Sequence, residues 1–181
     1  MKHTCRAASR LLLVCALAVS SAGLVHPAIA QQAAQSSAPA VMDHAEAARL
    51  MPSTVFFAGK TAPVQERNTA GLLLADHRMV LTALVDTSGY SSGVQSKYQA
   101  YLLTESPLLI EGKRLPIGAY GCGFVAGRFL VLNLAGDVLF SVPAVHDTAI
   151  RRPDPLQLTT APGGGYRLYS GRDYATLRPD R

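Results

Sequence analysis

From residue 53 onward the apolar residues come in short runs of four to eight, broken by Gly, Pro, Asn and Asp. A helix of useful length would need apolar positions three and four apart over ten or more residues, whereas short runs between turn formers specify strands. The runs lie at 54–58, 70–75, 79–85, 98–104, 108–111, 119–126, 128–134, 138–142, 156–160, 166–169 and 174–177. No long helical segment separates them, which argues against parallel βαβ units. The expected fold is mainly β: a single antiparallel β-sandwich or partly closed β-barrel over residues 53–181.

Several connections carry their own turn chemistry. Asp76-His77-Arg78, Ala126-Gly127-Arg128, Ala135-Gly136-Asp137 and Pro162-Gly163-Gly164-Gly165 each sit between strand-like runs and contain residues that tolerate turn dihedrals. A meander of consecutive hairpins is the simplest local topology. Residues 129–132 and 138–140 are apolar on both alternating faces, which predicts central strands covered on both sides.

One strand is lopsided. Tyr120, Cys122 and Phe124 share a face, while Ala119, Gly121 and Gly123 share the other and leave almost no side-chain volume there. Glycines inside a strand mark a close approach of other backbone, a bend or a ligand; the first two are the readings favoured here.

Ahead of the β region, residues 31–40 hold no large apolar side chain and read as a flexible spacer. Asp43 followed three residues later by Glu46, with alanines running to Leu50 and Pro52 beyond, predicts a short capped helix at 43–51. Residues 31–52 are thus spacer and helix.

The first thirty residues have the three-part pattern of a secretory signal peptide. Lys2, Arg6 and Arg10 form a basic start, 11–19 is almost wholly apolar, and Ala28-Ile29-Ala30 offers a cleavage site before Gln31. The apolar run is too short to span a bilayer, so no stable membrane span is expected once the leader is removed. The expected location is the periplasm or the extracellular medium.

Removing that leader changes the charge picture. The full chain has 17 Lys plus Arg against 12 Asp plus Glu, a formal net charge of +5; three of the cations leave with the leader, for a remainder of about +2. Arg151-Arg152 and Lys113-Arg114 are then the only adjacent cations, and nucleic acid, which demands a concentrated basic surface, is not an expected partner. Two of the three cysteines, Cys5 and Cys15, also leave. Cys122 alone remains and cannot form an internal disulfide. It reads as a small buried apolar side chain, the alternative being a bridge between two copies.

The phrase Leu108-Leu109-Ile110-Glu111-Gly112-Lys113-Arg114-Leu115-Pro116-Ile117-Gly118-Ala119-Tyr120 resembles a hairpin phrase of small secreted bacterial β domains of unknown function. The closing stretch from Gly164 to Tyr174 is similar to the end of some exported proteins of that kind. In the first phrase Lys113-Arg114 reads as the turn, with Pro116 fixing the chain and Gly118 freeing it. The resemblance implies export and a β fold, and no catalytic residues.

Candidate chemistry is sparse. Gly89-Tyr90-Ser91-Ser92-Gly93 fits the G-x-S-x-G string of a nucleophile elbow, with His146 and Asp147 downstream; the missing βα units and oxyanion sequence make a serine hydrolase using Ser91 an unfavoured alternative. His44, His77 and His146 show no HExxH or HxH spacing, so no metal or cofactor is expected. Glu105 and Glu111 flank Pro107 without an implied cleft. What remains is the longest polar connection, where Asp86, Ser88, Tyr90, Ser91, Ser92, Gln95 and Lys97 form a possible ligand-binding loop. The expected function is an exported, non-catalytic β domain that binds an envelope or extracellular component or acts as a structural accessory. The alternative is a β domain holding a small or sugar-like ligand.

Overall fold

The strand runs fold into two antiparallel sheets in the computed structural model, which describes residues 38–180. The leader expected at 1–30 and most of the spacer lie outside the described residues. The strands are β1 (Ala40–Val41), β2 (Thr54–Phe57), β3 (Lys60–Leu73), β4 (Met79–Val85), β5 (Ala100–Thr104), β6 (Leu108–Ile110), β7 (Lys113–Leu115), β8 (Gly118–Val125), β9 (Arg128–Leu132), β10 (Val138–Pro143), β11 (Val145–His146), β12 (Gln157–Thr160), β13 (Tyr166–Ser170) and β14 (Asp173–Pro179). The helices are α1 (His44–Leu50) and a single turn, α2 (Ser92–Gln95). The large sheet runs β1-β3-β4-β5-β8-β9-β10, with β2 also on β3; the small one runs β12-β13-β14-β6-β7, with β11 also on β14. Of the two architectures expected, the sandwich is the one formed.

The topology is not a meander. The β6–β7 hairpin leaves the large sheet between β5 and β8 and completes the small one. Its turn is Glu111-Gly112, both at positive φ (44° and 79°), so Lys113 and Arg114 lie in β7 and not in the turn expected there. Ala58-Gly59 and Ala126-Gly127 repeat the arrangement at φ 46°/79° and 48°/72°. Two successive positive-φ residues make a type I′ turn, whose twist matches that of the flanking strands.

Alternation along the strands builds two cores. Leu72, Leu102, Cys122 and Phe129 of the large sheet meet Leu108, Leu168, Ala175 and Leu177 of the small one between the layers. The opposite face of the large sheet is covered too: Phe57, Leu81, Tyr98 and Leu132 pack there with Ala47 of α1. This double cover explains why β4, β5 and β9 read as continuous apolar runs. β10 does not follow suit. It is the outer strand of the large sheet, with Val138 and Leu139 exposed, so the central position expected for 138–140 is corrected; its apolar run includes a break in register between Val138 and Phe140.

The lopsided strand is β8, and both of its faces are accounted for. Tyr120 and Cys122 point into the sandwich core. On the glycine face, the Phe57 and Tyr98 rings lie against Gly121, and the Lys97 carbonyl lies against Gly123. α1 begins where its sequence predicts: Asp43 Oδ1 accepts the Glu46 N–H at 2.8 Å, filling one orphan donor of the first turn.

The longest strand is irregular at one place. β3 and β4 are in register at Val64 and Val85 and again at Thr69 and Ala83, so residues 65–68 stand opposite Leu84 alone. This stretch, Gln65-Glu66-Arg67-Asn68, has three residues more than its partner and bulges from the sheet. Bulges re-aim side chains, and this one faces the candidate site.

Candidate functional site

The loop from Asp86 to Lys97 uses most of its polar groups on itself. Asp86 Oδ1 accepts the Ser88 N–H at 3.0 Å, which together with the Ser88 hydroxyl holds the carboxyl below its ordinary range. Tyr90 is turned inward. Its ring meets Phe57 and Tyr98 edge-on at 6.2 and 5.5 Å, and its hydroxyl donates to the Lys60 carbonyl at 3.3 Å. Gln95 Nε2 donates to the Tyr90 carbonyl at 2.7 Å. Ser91 stands at the start of α2 without a side-chain cap bond; Ser91, Ser92 and Lys97 are exposed. The loop thereby lids the outer core of the large sheet.

The elbow's expected partners are elsewhere. His146 lies on β11 of the small sheet, where Nδ1 meets Asp173 Oδ1 at 2.7 Å. Asp147 accepts the Ala149 N–H at 2.9 Å and the Tyr169 hydroxyl at 3.0 Å, and those two donors, in that order, keep its carboxyl ionised below the usual range. Ser91 makes no bond to either. Arg167 also reaches the Tyr169 hydroxyl, at 3.3 Å, and lies 4.5 Å from the centre of the Tyr174 ring. This network is satisfied within itself. Among the described residues no group of three or more His, Cys, Asp or Glu could hold a metal ion.

Polar side chains from separate segments converge at the seam between the sheets. There the bulge of β3 and the start of α1 face the segment leading into β12, across a cleft of about 370 Å³. One wall carries Arg67, Asn68, Thr69 and His44; the other carries Asp154 and Gln157. Ala70, Leu156 and Leu158 supply apolar floor from the sandwich core. β12 lies against both β3 and β1, so the walls are anchored on rigid strands.

The local bonding leaves capacity for a ligand. His44 Nδ1 is 3.0 Å from the Thr69 carbonyl; a carbonyl only accepts, so Nδ1 carries the proton and Nε2 is left over. Asn68 uses one amide hydrogen on Gln65 Oε1 at 2.8 Å. Thr69 is 3% exposed, and its hydroxyl, on the face of β3 opposite to Ala70, has no hydrogen-bond partner among the described residues and no surface open to the cleft. Such a group costs about 1–3 kcal/mol when left unmade. The side chains of Arg67 and Asp154 are exposed, and neither is in an ion pair or side-chain hydrogen bond among the described residues.

A second groove, of about 440 Å³, lies on the outer face of the large sheet beside Leu50, Met79 and Leu103. Its one charged side chain, Glu105, already accepts the Met79 N–H at 2.8 Å. Specific small-ligand sites combine apolar walls with a few convergent polar groups, and the seam cleft meets that description better.

The cleft lies apart from the ligand-binding loop expected at 86–97, and Arg67, Asn68, Thr69, Asp154 and Gln157 belong to no motif of the sequence. A signal for the first three exists: Gln65-Glu66-Arg67-Asn68 interrupts the apolar positions Ala62, Val64 and Ala70 with four consecutive polar residues, which inside a strand means a bulge. Compared with protein-family models, curated proteins and solved structures, the chain finds no match, so the site stands on the chemistry of its own residues.

Proposed function

We propose that this chain is an exported, non-catalytic binding domain that holds a small polar ligand in the cleft between its two sheets. The observation that carries the reading is the convergence, around one cleft of about 370 Å³, of polar side chains from three separate segments: His44, Arg67 with Asn68, and Asp154 with Gln157. The leader-like start of the sequence and its resemblance to small secreted β domains support export. A second reading, docking of an envelope protein, is favoured by Leu50, 44% exposed beside the outer groove.

The test is a thermal-shift panel of small acids, amino compounds, sugars and divalent cations on the purified protein and on Asn68→Trp. A ligand of the native state raises the melting temperature once its concentration exceeds its dissociation constant. The expected result is a shift with at least one class that the bulky indole at position 68 abolishes. Shifts equal in both proteins, or none at all, would overturn the cleft reading in favour of the protein-docking one.

A further inference from the structure

We propose that the cleft is built for a small zwitterion, an amino acid or dipeptide with an apolar side chain, its carboxylate met by Arg67 and its ammonium by Asp154. This rests on the cleft reading above and names its ligand class.

The charges are split by wall. Arg67 and His44 belong to the large-sheet side; Asp154 belongs to the segment before β12 on the other side. Arg67 and Asp154 form no ion pair with each other, so the two charges face one space instead of cancelling by contact. A ligand with a negative and a positive end completes both. A simple anion would gain Arg67 and be repelled by Asp154, and a simple cation would meet the reverse. Specificity of this kind comes as much from the repulsive partner as from the attractive one.

The remaining lining suits the rest of such a molecule. An Arg guanidinium presents a planar fork that matches a carboxylate, and His44 Nε2 is left as an acceptor for a ligand N–H. The amides of Asn68 and Gln157 offer a donor and an acceptor each for a peptide group. Leu156 and Leu158 leave an apolar surface for a side chain. The volume is at the small end of ligand sites, which fits one or two residues and excludes a long peptide.

The experiment is a titration of the purified protein with the dipeptide Ala-Leu, its N-acetyl derivative and its C-terminal amide, followed by amide chemical shifts in a two-dimensional NMR spectrum. Ala-Leu at up to about 10 mM is expected to move the amide signals of residues 67–69, 154 and 156–158, and each capped derivative to bind about tenfold or more weakly. Arg67→Ala should weaken Ala-Leu by a similar factor and leave the amide derivative unaffected; Asp154→Asn should do the same for the ammonium end. That pattern is a double-mutant cycle on one charge pair at a time, which a general loss of structure does not reproduce. Equal binding of capped and uncapped ligands, or no movement with Ala-Leu, overturns the zwitterion. If another class from the thermal panel still binds and is lost in Asn68→Trp, the cleft reading survives that failure; if nothing binds, both fall.

Discussion

The ring of Phe57 lies flat against the backbone of Gly121, so that a β-carbon at position 121 would stand 2.8 Å from Cζ of Phe57 and 3.0 Å from Cδ2 of Tyr98. Phe57 and Tyr98 are themselves stacked, with centroids 3.8 Å apart, and both are fully buried. Gly121→Ala therefore forces two packed rings to move. The expected loss is about 1–3 kcal/mol, read as a lower urea midpoint with an unchanged slope. An unaltered midpoint would mean that the rings yield without losing their packing.

Cys122 is buried in the sandwich core, and burial pushes its thiol up from 9.0 to about 12. The thiolate is the reactive form, so the native protein is expected to resist thiol reagents until denatured and to run alike on reducing and non-reducing gels. The same shift sets an alkaline limit. Between pH 9 and 12 the unfolded chain has released a proton that the folded chain keeps, so stability falls as pH rises, by up to about 1.4 kcal/mol per pH unit. Below pH 9 this group has no effect. Tyr98, whose hydroxyl is also raised by burial from 10.0, adds a further alkaline loss. Urea midpoints from pH 7 to 11 should decline above pH 9, and less steeply in Cys122→Ala.

Thr82 sits fully buried in β4, cross-strand from Ala70 and Leu102, and its hydroxyl has no hydrogen-bond partner among the described residues. Valine has nearly the same shape without the hydroxyl. Thr82→Val is expected to stabilise the protein by about 1 kcal/mol, measured as a raised melting temperature, with ligand binding unchanged because Thr82 does not line the cleft. A destabilised variant would show that the hydroxyl has a partner after all.

Ala126 holds φ 48° at the β8–β9 turn, ahead of Gly127. An alanine there bears the left-handed penalty that asparagine largely avoids. Ala126→Asn should stabilise the hairpin by about 0.5–1 kcal/mol, visible as slower amide exchange in β8 and β9. The exposed position of residue 126 keeps the change free of packing effects.

Much of this architecture is written locally. The alternation of Tyr101, Leu102 and Leu103, the Ala-Gly turn at 126–127, the Asp43 cap and the glycine face of β8 each depend on neighbours a few residues away, and each could be read from the chain alone. The β class and the burial of Cys122 follow from the same local patterns.

What only the tertiary structure decided is which strands meet. The β6–β7 hairpin joins the second sheet, and β10 becomes an edge, because the pairing of strands is settled by long-range packing that an apolar run does not encode. The cleft has the same origin. His44, Arg67 and Asp154 are far apart in sequence, and none is unusual in its own neighbourhood; they face one space because a three-residue surplus in β3 swells the sheet where β12 of the other layer passes. Local propensity determines the elements, and the packing of two twisted layers determines which polar residues they leave facing each other.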